Sequence, residues 1–150
     1  DEALAACGRE LGDGKVSVSV EIPEVDGEPL RLKAFPHLLA QVFVNLITNS
    51  AQAMNGSGRI RLWAKRAGDG RVVIELDDNG PGIPKENLPK VFEPFFTTKE
   101  QGRGTGLGLS ICLGVVEKHG GTIEARRHWR GAHFVIELPL NPSKDRSGVS

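Results

Sequence analysis

Val16, Val18 and Val20 alternate with Ser17, Ser19 and Glu21, a two-residue period that predicts a half-buried strand over residues 15–22. Before it, the alanine- and leucine-bearing residues 1–11 are weakly helical until Gly12 and Gly14 break the pattern. A turn is expected over 23–29 and a short second strand over 30–34. Pro36 then stands where the first turn of a helix tolerates its ring, and the helix should run from His37 to Met54. Asn55-Gly56-Ser57-Gly58 end it with residues suited to left-handed backbone angles. Residues 59–66 and 71–76 alternate apolar with charged side chains and read as a hairpin across 67–70. Residues 77–105 are rich in Gly, Pro and polar residues, with only a short helix expected near 85–91. So long a loop in a small domain predicts a lid or binding loop. Leu107, Leu109, Ile111, Leu113, Val115 and Val116 carry helical spacing over 106–119, closed by Gly120-Gly121, and 122–127 with 132–138 form a second hairpin. Residues 141–150 are polar and should fray. These elements predict an α+β layer, a mixed sheet with helices on one face.

At 150 residues the chain predicts one domain, and 39% hydrophobic with 25% charged residues is ordinary for a folded soluble domain. Nineteen basic residues balance nineteen acidic ones. That balance argues against a nucleic-acid partner or direct membrane contact, both of which favour a basic excess, but leaves room for a small anionic ligand. Cys7 and Cys112 are far apart and form no metal or disulfide pattern, so a reducing cytoplasm is the expected setting. The longest apolar stretch, 38–54, is interrupted by Gln41, Asn45, Asn49 and Gln52 and is no membrane span. The first residue is Asp1 rather than methionine, which predicts a piece of a longer protein.

Chemistry enters with what the first long helix lacks. Between Leu38 and Gly58 there is no Asp, Glu, Lys or Arg. Its polar face is instead Gln41, Asn45, Thr48, Asn49 and Gln52, at three- and four-residue steps, with Asn45 and Asn49 one turn apart on the same side. Asparagine is a mediocre helix former, so its repetition needs a reason. Two readings stand: a polar face hydrogen-bonded to a neighbouring loop, or amide oxygens that coordinate a hard divalent ion such as magnesium.

Two glycine-bearing loops follow. Asp78-Asn79-Gly80-Pro81-Gly82-Ile83 places a carboxylate at a strand end beside glycines that admit a ligand to the backbone, although such a triplet is often only a turn. Gly102-Arg103-Gly104-Thr105-Gly106-Leu107-Gly108-Leu109 opens a helix, whose free N–H groups and dipole suit an anion. A dinucleotide fingerprint would need a strand directly before it, and here a loop ending Phe95-Phe96-Thr97-Thr98-Lys99-Glu100 precedes it.

In this order the motifs resemble the catalytic domain of bacterial sensor histidine kinases, in the Bergerat-fold group with DNA gyrase, the Hsp90 chaperones and the MutL proteins. Residues 41–51 resemble the N box and 78–82 the G1 box. Phe92-Glu93-Pro94-Phe95-Phe96 resembles the F box and 104–109 the G2 box. The ending Asn49-Ser50-Ala51-Gln52-Ala53-Met54 is similar to the subgroup of nitrogen-regulation kinases. The resemblance implies a two-layer α/β sandwich with a mixed, mostly antiparallel five-stranded sheet and about three helices on one face. It divides the chain into the end of a linker helix (1–12), an ATP-binding catalytic domain (13–140) and a polar tail (141–150).

By the same resemblance Asp78 accepts a hydrogen bond from the adenine amino group, with Gly80, Gly82, Ile83, Phe92, Gln52 and Ala53 around the nucleotide. Asn45 and Asn49 would hold magnesium on the phosphates. Lys99 and Arg103 would neutralise phosphate charge, and Gly104, Thr105, Gly106, Leu107 and Gly108 would wrap the triphosphate. Asn45, Asn49 and Lys99 are the expected catalytic residues. In gyrase-like relatives a glutamate at the place of Asn45 activates water, and an amide cannot act as a general base near neutral pH. ATP is thus expected to be the phosphoryl donor to a histidine outside the chain, with ADP as product. None of the four histidines has the acidic-then-arginine context of an acceptor. The implied partners are the dimerisation and phosphoacceptor helices of the same protein, through which alone it would dimerise, and a downstream response regulator. Alternatives are a serine kinase of the anti-sigma-factor type and a nucleotide-sensing module without catalysis. The chain departs from relatives at Ala132-His133, where adjacent hydroxyl residues are common, and at Ala34-Phe35, where Gly-Asp is common.

Overall fold

The computed structural model describes residues 16–21, 24–25, 28–29, 35–55, 57–68, 70–96, 108–128 and 131–140. The expected helix over 1–12, strand over 30–34 and tail over 141–150 lie outside them.

The valine alternation becomes β1 (Val16–Glu21). A small hairpin of β2 (Glu24–Val25) and β3 (Glu28–Pro29) occupies the expected turn. Helix α1 (Pro36–Ala53) follows, with Pro36 in its first turn. Strands β4 (Gly58–Ala67) and β5 (Arg71–Asp78) form the first large hairpin. A short 3-10 helix (Lys85–Lys90) precedes α2 (Gly108–Lys118), and β6 (Thr122–His128) with β7 (Gly131–Pro139) closes the chain. The sheet order is β1-β4-β5-β7-β6, and only the β1–β4 pair is parallel.

The two-residue period decides which side of the sheet is dry. Ile60, Val72, Ile74, Leu76, Phe134, Ile136, Leu138 and Ile123 are all buried on one face. Leu39, Val42, Leu46 and Ile47 of α1 and Cys112, Val115 and Val116 of α2 meet them in one core. Each fully buried aliphatic or aromatic side chain there contributes roughly 1.5–3 kcal/mol. Two α-helices therefore form the second layer among the described residues, where about three helices were expected, and the 3-10 helix buries none of its residues.

The other face is a polar lattice. Arg61 donates to both carboxylate oxygens of Asp77, at 3.1 and 2.8 Å, and its guanidinium lies 5.1 Å from the Trp63 ring centre. The hydrogen bond and charge of Asp77 raise the Arg61 pKa further. Trp63 Nε1 donates to Glu75 Oε2 at 3.1 Å, and the His133 ring stacks on Trp63 with Nε2 3.0 Å from Glu75 Oε1. This lattice explains one departure from expectation. The strand read as ending at Leu76 continues through Asp77 and Asp78, paired with Arg61 and Ile60. Aspartate is a poor strand former, but an opposite charge directly across the ladder reverses that penalty.

Candidate nucleotide site

Three elements converge on one end of the layer between sheet and helices: the amide face of α1, the turn after β5 and the start of α2. On α1, Asn45 and Asn49 are half-buried, whereas Gln41, Gln52 and Ala53 are exposed. Asn45 Nδ2 donates to the carbonyl of Gly108, the first residue of α2, at 3.3 Å. That leaves Asn45 Oδ1 as the free acceptor, since no described residue donates to it. No described residue bonds the Asn49 amide. Thr48 Oγ1 is turned back onto the Asn45 carbonyl at 3.3 Å. The structural reading of the stripe is met at Asn45, whose amide nitrogen ties α1 to α2, and no described residue donates to the Asn45 or Asn49 amide oxygen.

At the end of β5, Asp78 is 5% exposed. Its Oδ1 accepts the N–H of Gly80 at 2.9 Å and the N–H of Ala132 at 3.2 Å. Both described donors address the same oxygen, so Oδ2 is free to accept from a ligand. Asn79 pins the turn to β4, accepting from the Arg59 N–H at 2.8 Å and donating its own N–H to the Arg59 carbonyl at 3.1 Å. The glycines have specific causes. A Cβ on Gly80 would stand 2.8 Å from Met54 Cγ and 3.2 Å from Asp78 Oδ1, so the end of α1 already fills that space. Gly82 has φ +80, a left-handed conformation that side chains resist.

Gly131 was missed by sequence reasoning, and Ala132 entered it only as a departure from relatives. A Cβ on Gly131 would collide with the Asp78 carbonyl oxygen, and with Oδ1 at 2.6 Å. Only glycine lets β7 start this close to the carboxylate. Ala132 lacks the side-chain hydroxyl of many relatives, yet its backbone N–H supplies a bond to Asp78 directly. The available signal was the strand register, which pairs Asp77 with His133 and so sets Ala132 beside Asp78.

Ile83 and Phe92 are half-buried and pack on the core, with Phe92 edge-on to Phe134 at 6.3 Å. Phe92 therefore anchors the chain leaving the Asp78 turn. Phe95, three residues on, is 73% exposed and has φ 68. Lys99, Arg103, Gly104, Thr105, Gly106 and Leu107 lie outside the described residues, while Gly108 begins α2.

Residues 35–142 match the family described as histidine kinase-, DNA gyrase B- and HSP90-like ATPase. The chain belongs to this family. It is 42% identical over 120 residues to the sensor histidine kinase ZraS of Klebsiella oxytoca, covering 79% of this chain and 26% of that protein. It is 38% identical to the histidine-protein kinase AtoS of Escherichia coli K12, over 84% of this chain and 21% of AtoS. The chain thus spans about a quarter of the curated relatives it matches. Its fold superimposes on the nucleotide-free catalytic domain of histidine kinase ThkA with a TM-score of 0.80 and 35% identity, covering 95% of this chain and 91% of that one. ThkA in complex with its response regulator TrrA matches at a TM-score of 0.75 and 31% identity, over 95% of this chain and 40% of that one. The α+β sandwich of this ATPase family is therefore present, carrying the Asp78 turn and the α1 amides. Among the described residues no helix is long and apolar enough to cross a membrane.

Proposed function

We propose that this chain binds ATP with magnesium and presents its γ-phosphoryl group to a histidine on the dimerisation helices of the same protein, from which a response regulator is served. The carrying observation is the pair Asn45 and Asn49, whose amide oxygens are left for a ligand while Asn45 Nδ2 is held by Gly108.

Two neutral oxygens a turn apart fit magnesium, a hard ion that keeps several waters and shares its shell with phosphate oxygens. Bound there, the ion would supply charge neutralisation for the transferring phosphoryl group. The chain's own residues do the rest. Asp78 Oδ2 accepts the adenine amino group, with Oδ1 held by Gly80 and Ala132. The start of α2 carries the positive end of the helix dipole, which suits phosphate oxygens. Lys99 and Arg103 are assigned to phosphate charge on the basis of the family resemblance. Neither Asn45 nor Asn49 can take a proton from water at neutral pH, so the γ-phosphoryl group waits for an imidazole from outside. The sensor kinase relatives and the ThkA complex with TrrA support this assignment of partners, and the cytoplasmic setting rests on the sequence alone.

The test is titration with a fluorescent ATP analogue, with and without magnesium, on the unmodified chain and Asn49→Ala. Magnesium should strengthen binding to the first and leave the second unchanged. Binding indifferent to magnesium in the unmodified chain would remove the assignment of Asn49. Radiolabelled ATP should leave no acid-labile label on this chain alone, and should label an added phosphoacceptor helix pair.

A further inference from the structure

His119 follows the last residue of α2 and is 2% exposed. Both of its ring nitrogens are engaged: Nδ1 lies 2.8 Å from the Val115 carbonyl and Nε2 lies 3.0 Å from the Phe35 backbone nitrogen. A backbone N–H only donates, so Nε2 is the acceptor and Nδ1 carries the proton that Val115 receives. The Phe35 ring meets the imidazole edge-on at 5.6 Å. Phe35 is the N-cap of α1 and offers no side-chain cap of its own. The imidazole thus joins the start of α1 to the end of α2.

Two more bonds continue the connection. Cys112 Sγ donates to the Val42 carbonyl at 3.6 Å, and Asn45 Nδ2 to the Gly108 carbonyl at 3.3 Å. The pairs are 35 with 119, 42 with 112 and 45 with 108, so position rises on one helix as it falls on the other. Side-chain to main-chain bonds therefore register two antiparallel helices along their whole contact. The ladder ends at Asn45 and Gly108, beside the amide pair and the first turn of α2.

We infer that His119 is a positioning residue for the triphosphate: by fixing the axial register of α2 on α1, it sets where the Gly108 turn stands relative to Asn45 and Asn49. This rests on the nucleotide-binding reading above. A slip of one residue would move the α2 start by about 1.5 Å. Misplacements near 1 Å at a reacting group are enough to lose about a hundredfold in rate. The adenine arm is built differently. Asp78 is oriented by Gly80 and by Ala132 on β7, neither of them part of either helix.

That separation supplies the test. Adenosine and a non-hydrolysable ATP analogue with magnesium are titrated by competition into the unmodified chain, His119→Ala and His119→Gln. His119→Ala should keep adenosine affinity within about twofold while the ATP analogue weakens about three- to thirtyfold, the range for residues that couple without touching ligand. His119→Gln should recover most of the loss, because its amide oxygen can accept the Phe35 N–H. Phe35→Pro deletes that N–H with His119 intact, and should reproduce the split even where His119→Ala fails to fold. Equal losses for adenosine and ATP analogue, or none for the analogue, would overturn the inference. An unmodified chain that binds neither ligand would instead sink the nucleotide-binding reading on which it rests.

Discussion

Ala132 holds Asp78 in place: the Ala132 N–H reaches Asp78 Oδ1 at 3.2 Å across 54 residues of sequence, joining the second residue of β7 to the last residue of β5. With Gly80 on the same oxygen at 2.9 Å, the carboxylate is oriented before any ligand arrives. Preorganisation of this kind removes an ordering cost from binding.

The first consequence concerns Asp78→Asn. An asparagine oxygen can still accept both N–H groups, so the fold should survive with little change in its urea midpoint. The amide nitrogen would then face the adenine amino group donor to donor. Loss of a hydrogen bond to a charged group costs about 1.5–3 kcal/mol, or roughly ten- to hundredfold in affinity. Calorimetry with ATP should show that fall, and unchanged affinity would remove Asp78 from base recognition.

Gly131→Ala should act on the same carboxylate from the other side. The added Cβ would collide with the Asp78 carbonyl oxygen and stand 2.6 Å from Oδ1, contacts that only a backbone shift can relieve. Overpacking of this sort costs about 1–3 kcal/mol. Urea unfolding should report the loss of stability, and adenosine affinity should fall with it. A variant as stable as the parent would mean that β7 moves aside freely.

How far the sequence revealed this arrangement depends on the range of each interaction. Alternating valines announced β1, and Pro36 before an uncharged amphipathic stretch announced α1, because both signals are local. The candidate positions Asn45, Asn49 and Asp78 stand out for the same reason, each lying in a motif of a few residues. The role of Asp77 was not, since its place in the strand comes from Arg61 on the neighbouring strand. Gly131 reads locally as a hairpin glycine, and its meaning appears only when β7 is registered on β5. Met54 reads as a helix-end core residue, and only the folded turn shows it occupying the space beside Gly80. His119 is the extreme case, a residue at a helix end whose partner is 84 positions away.

Phe35 sets a cap against two ring contacts. It is the N-cap of α1, with no side-chain cap bond and no acidic residue in the first turn. Its ring is 56% exposed and lies 5.1 Å from Lys118 Nζ. Aspartate at an N-cap contributes about 1 kcal/mol by accepting the free N–H groups, and here it would also face Lys118. Losing the cation–π contact costs about 0.5–1 kcal/mol. Because the edge-on contact with His119 is lost as well, at about 0.5–1.5 kcal/mol, Phe35→Asp should leave the urea midpoint unchanged or slightly lower, with the backbone bond to His119 retained. A clear rise in the urea midpoint would show that the missing cap outweighs both ring contacts.

Cys112 gives the domain an alkaline limit. Burial pushes its thiol up from 9.0 to about 12, partly offset by a hydrogen bond from Asn45. In the unfolded chain the thiol ionises above 9.0, while in the folded chain it stays protonated until about 12. Between those values the unfolded state has shed a proton that the native state keeps, so stability falls as pH rises. Below 9.0 both states are protonated and the contribution is complete. At about 1.4 kcal/mol per pH unit, the loss by about pH 10.5 is on the order of 2 kcal/mol. Cys112→Ser retains a donor for the Val42 carbonyl without an ionisable thiol. Its urea midpoint should therefore decline less steeply than that of the parent across this window. Parallel declines in the two proteins would place the alkaline sensitivity elsewhere, among the lysines and arginines of the open sheet face.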